Sequence, residues 1–92
     1  MEKPKRSKLE VIFDILCAVR DNKHQIKITP LIRYSGLSPQ RFDVYYGKLL
    51  EGGFLKETFD DKGAKLIMLT EKGSSYIKNY STVLKFIKEF EL

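Results

Sequence analysis

Residues 29–39 read TPLIRYSGLSP and contain two helix starts in close succession. Each start is a hydroxyl residue followed by proline, Thr29-Pro30 and Ser38-Pro39, a pair typical of an N-cap and the first helical position. Gly36 lies between them and is typical of a helix end. The sequence therefore predicts a short helix that ends at Gly36 and a longer one that runs from Pro39 to Glu51. Two helices joined by such a turn form a helix-turn-helix.

Two strand-like runs follow the second helix, at residues 54–59 and 65–69. The turn between them, Asp60-Asp61-Lys62-Gly63, supplies a glycine that can adopt a positive φ, so the pattern predicts a β-hairpin. Thr70-Glu71 then starts a last helix that continues nearly to the end of the chain. A helix-turn-helix followed by a hairpin is the order of a winged helix. We therefore predict a mainly helical α+β fold with residues 54–69 as the wing.

The first helix opens with a capping box formed by Ser7 and Glu10. Its apolar residues fall on two sides, so we expect a cover on each side. The helical spacing assigns one set to the core: Leu9, Ile12, Phe13 and Leu16. It leaves the other set on the opposite side: Val11, Ile15 and Ala18. A short alternating run at residues 26–28 predicts a brief strand after this helix.

Several motifs resemble those of winged-helix regulators in archaea and bacteria: Leu37-Ser38, Tyr46, Leu49, Gly53-Phe54-Leu55, Leu69-Thr70-Glu71-Lys72-Gly73 and Tyr76-Ile77. Residues 6–12, RSKLEVI, and the long C-terminal helix point to one family among these regulators. Together they resemble the ten-kilodalton dimeric DNA-binding proteins of thermophilic crenarchaea, a winged-helix family associated with chromatin. The resemblance covers nearly the whole chain. It implies a homodimer joined through antiparallel C-terminal helices, in which the wings and the recognition helices bind DNA.

The helix from Pro39 to Glu51 is the predicted recognition helix. Its outer side carries candidate DNA contacts: Gln40, Arg41, Val44, Tyr45, Gly47 and Lys48. Arg41 can pair with guanine and Gln40 with adenine. Lys48 and Tyr45 can reach phosphate. Glycine inside a helix costs about 1 kcal/mol relative to alanine, so Gly47 indicates either a close approach of DNA to the backbone or neutral drift on a solvent face.

Basic residues outside this helix add further candidates for DNA contact. The chain has 17 basic and 12 acidic residues, a net charge of +5, which favours a polyanionic partner. An N-terminal arm over residues 1–6 leads into the first helix and carries, with its first turn, four cations: Lys3, Lys5, Arg6 and Lys8. Lys62 and Lys65 lie in the wing, where Asp60 and Asp61 weigh against a strong phosphate contact. A solvated tail is the alternative for the arm.

The last helix carries an apolar stripe with the spacing of a coiled-coil seam. The predicted dimer interface consists of Tyr76, Tyr80, Val83, Leu84, Ile87 and Phe90. We therefore predict a winged-helix DNA-binding domain over residues 1–70 and a dimerisation helix over residues 71–92. The alternative is a helix that folds back along the first helix of its own domain.

No catalytic residues are identified, and the sequence predicts a protein that is not an enzyme. His24 is the only histidine and lies in a polar turn, and Cys17, the only cysteine, is typical of a small buried apolar residue. We expect no cofactor, no metal site, no small-molecule ligand and no membrane span. The sequence thus predicts a cytoplasmic, nucleoid-associated binder of double-stranded DNA, in an architectural or a regulatory role. A protein–protein interaction module and an RNA-binding protein are the alternatives.

Overall fold

The computed structural model describes residues 6–90, which form four helices and one small sheet. The elements follow the order α1 (Lys8–Asp21), β1 (Gln25–Ile26), α2 (Ile28–Ser35), α3 (Pro39–Glu51), β2 (Leu55–Phe59), β3 (Lys65–Leu69) and α4 (Glu71–Glu89). The three strands are antiparallel in the order β1-β3-β2. This arrangement confirms the predicted fold, a winged helix-turn-helix with a long C-terminal helix.

The two helix starts of residues 29–39 have different outcomes. Ser38 is the N-cap of α3, as predicted, and its hydroxyl accepts a hydrogen bond from the Arg41 backbone N–H at 3.3 Å. Gly36 ends α2 with a φ of 71°, in the left-handed region that favours glycine. The predicted start of α2 at Thr29 is wrong, because the N-cap is Lys27. Pro30 lies in the first turn, where its missing N–H has no helical partner to lose.

The predicted strand at residues 26–28 is shorter and lies one residue earlier. Only Gln25 and Ile26 pair with β3, opposite Met68 and Ile67. The chain enters α2 directly after them, and the Leu31 backbone N–H already donates to the Lys27 carbonyl at 3.2 Å. An apolar pattern of three residues cannot separate the end of a strand from the start of a helix.

The core side of α1 is centred differently from the prediction, because Val11 and Ile15, which the prediction places on the opposite side, are fully buried. The buried residues of α1 are Val11, Ile15, Leu16 and Val19, whereas Leu9 is exposed. The predicted core residues Ile12 and Phe13 are half-buried and pack against the core cluster, and the Phe13 ring lies 4.7 Å from the Tyr80 ring of α4. Both apolar sides of α1 are thus covered, one by the domain core and the other by α4 of the same chain.

The turn between α2 and α3 is held by a buried serine. The Ser35 hydroxyl donates to the Ile32 carbonyl at 2.6 Å and accepts from the Leu37 backbone N–H at 3.1 Å. Ser35 is the one polar residue among the buried side chains of residues 6–90. Its two hydrogen bonds satisfy it without water and fix the path of the chain from α2 into α3.

The wing is a regular hairpin with a tightly bonded turn. Leu55 lies opposite Leu69 at its base, and Phe59 lies opposite Lys65 at its far end. The Asp60 carboxylate accepts hydrogen bonds from the backbone N–H groups of Lys62, at 2.9 Å, and Ala64, at 2.8 Å. This carboxylate therefore builds the turn, as aspartate often does.

The first turns of α4 belong to the core, and its last turns do not. Gly73 and Ile77 are buried against the rest of the domain. Every residue from Ser81 to Phe90 is exposed. The described chain is accordingly elongated, with a longest dimension of 49 Å. Among residues 6–90, no helix combines the length and the apolar character needed to cross a bilayer.

Candidate nucleic-acid interface

The outer side of α3 faces solvent along its whole length. Phe42 and Leu49 are buried on the inner side and anchor the helix to the core. The exposed residues are Gln40, Arg41, Val44, Gly47 and Lys48, while Tyr45 is half-buried at the edge. The structure therefore brings the predicted α3 candidates together on one accessible surface, which presents an amide, two cations and an apolar side chain.

Gly47 lies on this surface without any steric need for glycine. A Cβ atom placed there would meet no other atom within 4 Å. Packing within the chain therefore does not explain a residue that weakens a helix by about 1 kcal/mol. Both explanations raised by the sequence, close approach of DNA and neutral drift, are compatible with this open position.

α3 is tied to the wing by a hydrogen bond. The Tyr46 hydroxyl donates to the Glu57 carboxylate of β2 at 2.5 Å, and the Tyr46 ring stacks on Phe42. Burial first, and then the bond to Glu57, raises the pKa of Tyr46 above its ordinary value. The same bond lowers the pKa of Glu57. Lys65 completes the contact, with its Nζ 3.4 Å from Glu57.

The C-terminal end of α3 is tied to α4. The Lys72 ammonium donates to the Gly52 carbonyl at 2.6 Å and lies over the Phe54 ring, 4.7 Å from its centroid. The Thr70 hydroxyl caps α4 and donates to the Gly53 carbonyl at 2.6 Å. Two side chains at the start of α4 thereby satisfy carbonyls where α3 ends, which otherwise lack helical partners.

Gly73 completes this junction because no larger residue fits. A Cβ atom on Gly73 would lie 2.4 Å from the Phe54 carbonyl oxygen and 2.5 Å from Cδ1 of Leu69. The motif Leu69-Thr70-Glu71-Lys72-Gly73 therefore has a physical reason. It supplies a helix cap, a cation for the α3 terminus and the space in which α4 meets the sheet.

The cations of the predicted N-terminal arm do not share one environment. Arg6 pairs with Asp14 of α1 and donates to the Ser35 carbonyl at 2.7 Å, and its side chain is only 11% exposed. It fastens the start of the chain to the helix-turn-helix. Lys8 is exposed in the first turn of α1. Lys3 and Lys5 lie outside the described residues.

The wing presents one residue that the sequence analysis did not single out. Phe59, at the end of β2, is 63% exposed. Lys62 is exposed in the turn beyond it, and Lys65 is engaged by Glu57 as described above. Alternation along β2 places Phe59 on the core side of the sheet, but the sequence does not reveal that the core ends before it.

The residues of the predicted dimer interface divide into two groups. Tyr76 and Tyr80 are half-buried against α1, and the Tyr76 hydroxyl donates to the Leu9 carbonyl at 3.0 Å. Val83, Leu84, Ile87 and Phe90 are exposed, as is Phe86 beside them. An apolar groove of about 250 Å³ runs between the start of α1 and α4, and is lined by Leu9, Tyr76, Asn79, Tyr80 and Val83.

The residues considered for other chemistry are isolated from one another. Within residues 6–90, no three His, Cys, Asp or Glu side chains are grouped as a metal site requires. His24 is exposed in the turn after α1. Cys17 is half-buried, whereas the sequence predicted a buried residue. Its partial burial raises the pKa of the thiol. Such a thiol is a poor nucleophile.

Three solved structures are similar to the chain over most of their length. Sso10a-2, a DNA-binding protein from Sulfolobus solfataricus, is 24% identical with a TM-score of 0.74, over 94% of this chain and 86% of that one. F-93 of SSV1 is 26% identical with a TM-score of 0.67, over 98% and 99%. F93 from STIV, described as a winged-helix DNA-binding protein, is 20% identical with a TM-score of 0.71, over 88% and 92%.

These similarities confirm the resemblance to small crenarchaeal winged-helix proteins that the motifs indicated. A search of curated proteins gave no match. The family whose pattern matches the sequence is described as winged helix-turn-helix, and the match extends over residues 5–88. The match to this family also confirms the prediction that the protein is not an enzyme. The chain belongs to the winged helix-turn-helix family.

Proposed function

We propose that the protein binds double-stranded DNA as a homodimer and that each subunit places the outer side of α3 in the major groove. The observation that carries this proposal is the division of α3 into two sides. The inner side is buried, whereas the outer side offers Gln40, Arg41 and Lys48 to solvent. Sso10a-2 and F93 from STIV, which share the fold, are both described as DNA-binding proteins.

The chemistry of this surface matches the edges of base pairs and the phosphates beside them. The Arg41 guanidinium can donate two hydrogen bonds to guanine, and the Gln40 amide can bond both groups that adenine presents. Val44 is exposed between them and can contact a thymine methyl group. Lys48 and Tyr45 lie where the helix meets the groove wall and can bind phosphate.

The fixed position of α3 supports the same role. The helix is held by its buried side, by Tyr46 on Glu57 and by Lys72 on Gly52. A surface that is already ordered loses less conformational entropy on binding than a mobile one. The net charge of +5 adds a general attraction to the polyanion. Lys8, Lys62 and the arm at Lys5 are additional phosphate contacts in this proposal, whereas Arg6 and Lys65 are engaged within the protein by Asp14 and Glu57.

We propose that a second copy covers the distal half of α4. In the same chain, α1 packs on α4 only as far as Tyr80, so a fold-back along α1 accounts for the first half alone. Beyond that point Val83 is 53% exposed and Phe90 is 61% exposed, on the same stripe as Ile87. Contiguous exposed apolar surface of this kind typically marks an interface. Two antiparallel α4 helices pair this stripe with itself.

A dimer would also compensate for the small size of the DNA-contacting surface on each subunit. One short helix reads few base pairs, whereas two copies held at a fixed separation read two half-sites. We propose a role at the nucleoid, as a chromatin protein or a local transcription regulator. Competition between a selected duplex and random duplex separates the two roles, because a regulator prefers its site and an architectural protein does not.

Titration of duplex DNA at several salt concentrations tests DNA binding. We expect affinity to fall steeply as salt rises, because phosphate contacts release counterions. Arg41→Ala should weaken binding about tenfold or more, the value of a lost bidentate base contact, while Lys78→Ala, a cation on the polar side of α4, should have little effect. Negligible affinity at low salt would contradict the proposal and favour a protein-interaction module. A stronger affinity for a matched RNA would favour an RNA-binding role.

A further inference from the structure

We infer that Phe59 is an apolar wedge that enters the minor groove of DNA beside the recognition helix. The inference rests on the proposed DNA binding and assigns a new contact within it. Phe59 is 63% exposed, which is more than any other large apolar side chain among residues 6–90. Single exposed apolar residues are common. Phe59 differs from such residues because it lies at the end of a wing strand, on the side that faces α3.

Strand alternation determines which way Phe59 points. Leu55, Glu57 and Phe59 lie on one side of β2, since successive side chains alternate between the two sides of a sheet. Leu55 is buried in the core, and Glu57 receives the Tyr46 hydroxyl of α3. Phe59 therefore projects on the side that faces α3. It lies two residues, or about 7 Å, beyond the point where α3 touches the wing.

The turn next to Phe59 is closed by hydrogen bonds. Two backbone N–H groups bond the Asp60 carboxylate, and the backbone N–H of Asp60 donates to the Ala64 carbonyl at 2.9 Å. Phe59 is paired with Lys65 in the last rung of the hairpin. These bonds hold the backbone that carries the Phe59 ring. Little side-chain freedom then remains to be lost on insertion, because phenylalanine has only two torsion angles.

The charge of the wing favours insertion over a grip on phosphate. Residues 54–69 contain three lysines and three acidic residues, so the wing has no net charge. Glu57 already binds one lysine, Lys65, and Asp60 is held by the turn. A neutral wing is a weak phosphate clamp. An apolar ring contacts sugars and base edges, and such wedges unstack base steps and bend the duplex.

The wedge has a signature that differs from that of a cation. Phe59→Ala should weaken binding about tenfold at every salt concentration, the effect of losing a buried aromatic ring. The salt slope should stay unchanged, since no phosphate contact is lost. Phe59→Leu should retain most of the affinity. Thr58→Ala, one position away on the opposite side of the strand, is the matched control and should bind like the wild type.

A second measurement follows the DNA itself. In a duplex with a central TA step and an adjacent 2-aminopurine, wild type should raise the fluorescence by unstacking the step, and Phe59→Ala should not. An unchanged melting temperature of the variant excludes unfolding as the cause. Equal affinity and equal fluorescence for wild type and Phe59→Ala would overturn the wedge alone. A wild-type protein that fails to bind duplex would overturn the proposed function and the wedge together.

Discussion

The hydroxyl of Tyr46 donates to the carboxylate of Glu57, and this side-chain bond links α3 to the middle of the first wing strand. Tyr46 belongs to α3 and Glu57 to β2, eleven residues apart in sequence, so the bond spans the junction between the two parts of the proposed DNA surface. The Lys65 ammonium approaches the same carboxylate from β3. The packing of α3 against the wing therefore includes a polar contact that pH and mutation can change.

The Tyr46–Glu57 bond predicts a loss of stability in acid. The bond lowers the pKa of Glu57 below its ordinary value of 4.5, so its contribution is present above that pH and disappears as the pH falls through the lowered pKa. The free energy of unfolding of wild type should therefore drop toward that of Glu57→Gln as the solution is acidified. Urea unfolding at a series of pH values from neutral to acid measures the difference. A constant difference would contradict the prediction.

Gly73→Ala should destabilise the protein although alanine favours helix. The added methyl group overlaps a backbone oxygen of Phe54 and the side chain of Leu69, and a backbone oxygen cannot move aside easily. We expect the overpacking to lower the free energy of unfolding by about 2 kcal/mol, a value typical of overpacked sites. This loss exceeds the gain of about 1 kcal/mol that alanine brings over glycine in helix propensity. Urea unfolding measures it. A variant as stable as wild type would show that α4 can shift away from the sheet.

Gly47→Ala should have the opposite effect on stability. The added methyl group meets nothing, so the helix should gain up to about 1 kcal/mol. If DNA approaches the backbone at this point, the same variant should bind duplex more weakly than wild type. Thermal unfolding and duplex titration of one preparation measure both effects. Undiminished DNA affinity would instead identify Gly47 as a product of neutral drift.

Ile87→Asp should convert the proposed dimer into monomers. The substitution places a charge in the centre of the exposed apolar stripe of α4, where an antiparallel partner would have to bury it. We expect monomers in analytical ultracentrifugation and weaker binding to DNA. Ser81→Asp, an exposed position on the polar side of α4, is the control and should remain dimeric. A fully active Ile87→Asp dimer would refute the proposed interface.

The helix caps and turns of the chain could be predicted because they depend on local sequence. The Ser38 cap, the Gly36 helix end, the turn at Gly63 and the Thr70 cap depend on residues within a few positions, and each is observed as expected. The motif that carried the family resemblance is now explained by the Lys72 and Gly73 contacts. These contacts bring together residues about twenty positions apart, so spacing alone did not reveal them.

The errors arose where tertiary packing decides between similar patterns. α1 is apolar on two sides, and its sequence does not state which side meets the sheet. The answer depends on Tyr76 and Tyr80 of α4, which cover the side around Phe13. Arg6 was grouped with the basic arm by its charge, but its partners Asp14 and Ser35 are distant in sequence. Phe59 lies on the same side of β2 as the buried Leu55, and the sequence does not show that the core ends before Phe59.

The continuity of α4 has a consequence for the geometry of a pair of subunits. The helix has no proline and no glycine after Gly73, and it is joined to the end of α3 by Thr70 and Lys72. In a dimer joined through the distal turns of α4, this helix would act as a spacer of fixed length between the two DNA-binding domains. Adding seven residues after Ser81 would extend the reach of each subunit by about 10 Å and would leave the packing of Tyr80 on α1 and the apolar stripe from Val83 to Phe90 unchanged. The preferred distance between paired sites on DNA would change with it, while the bases read at each site stayed the same.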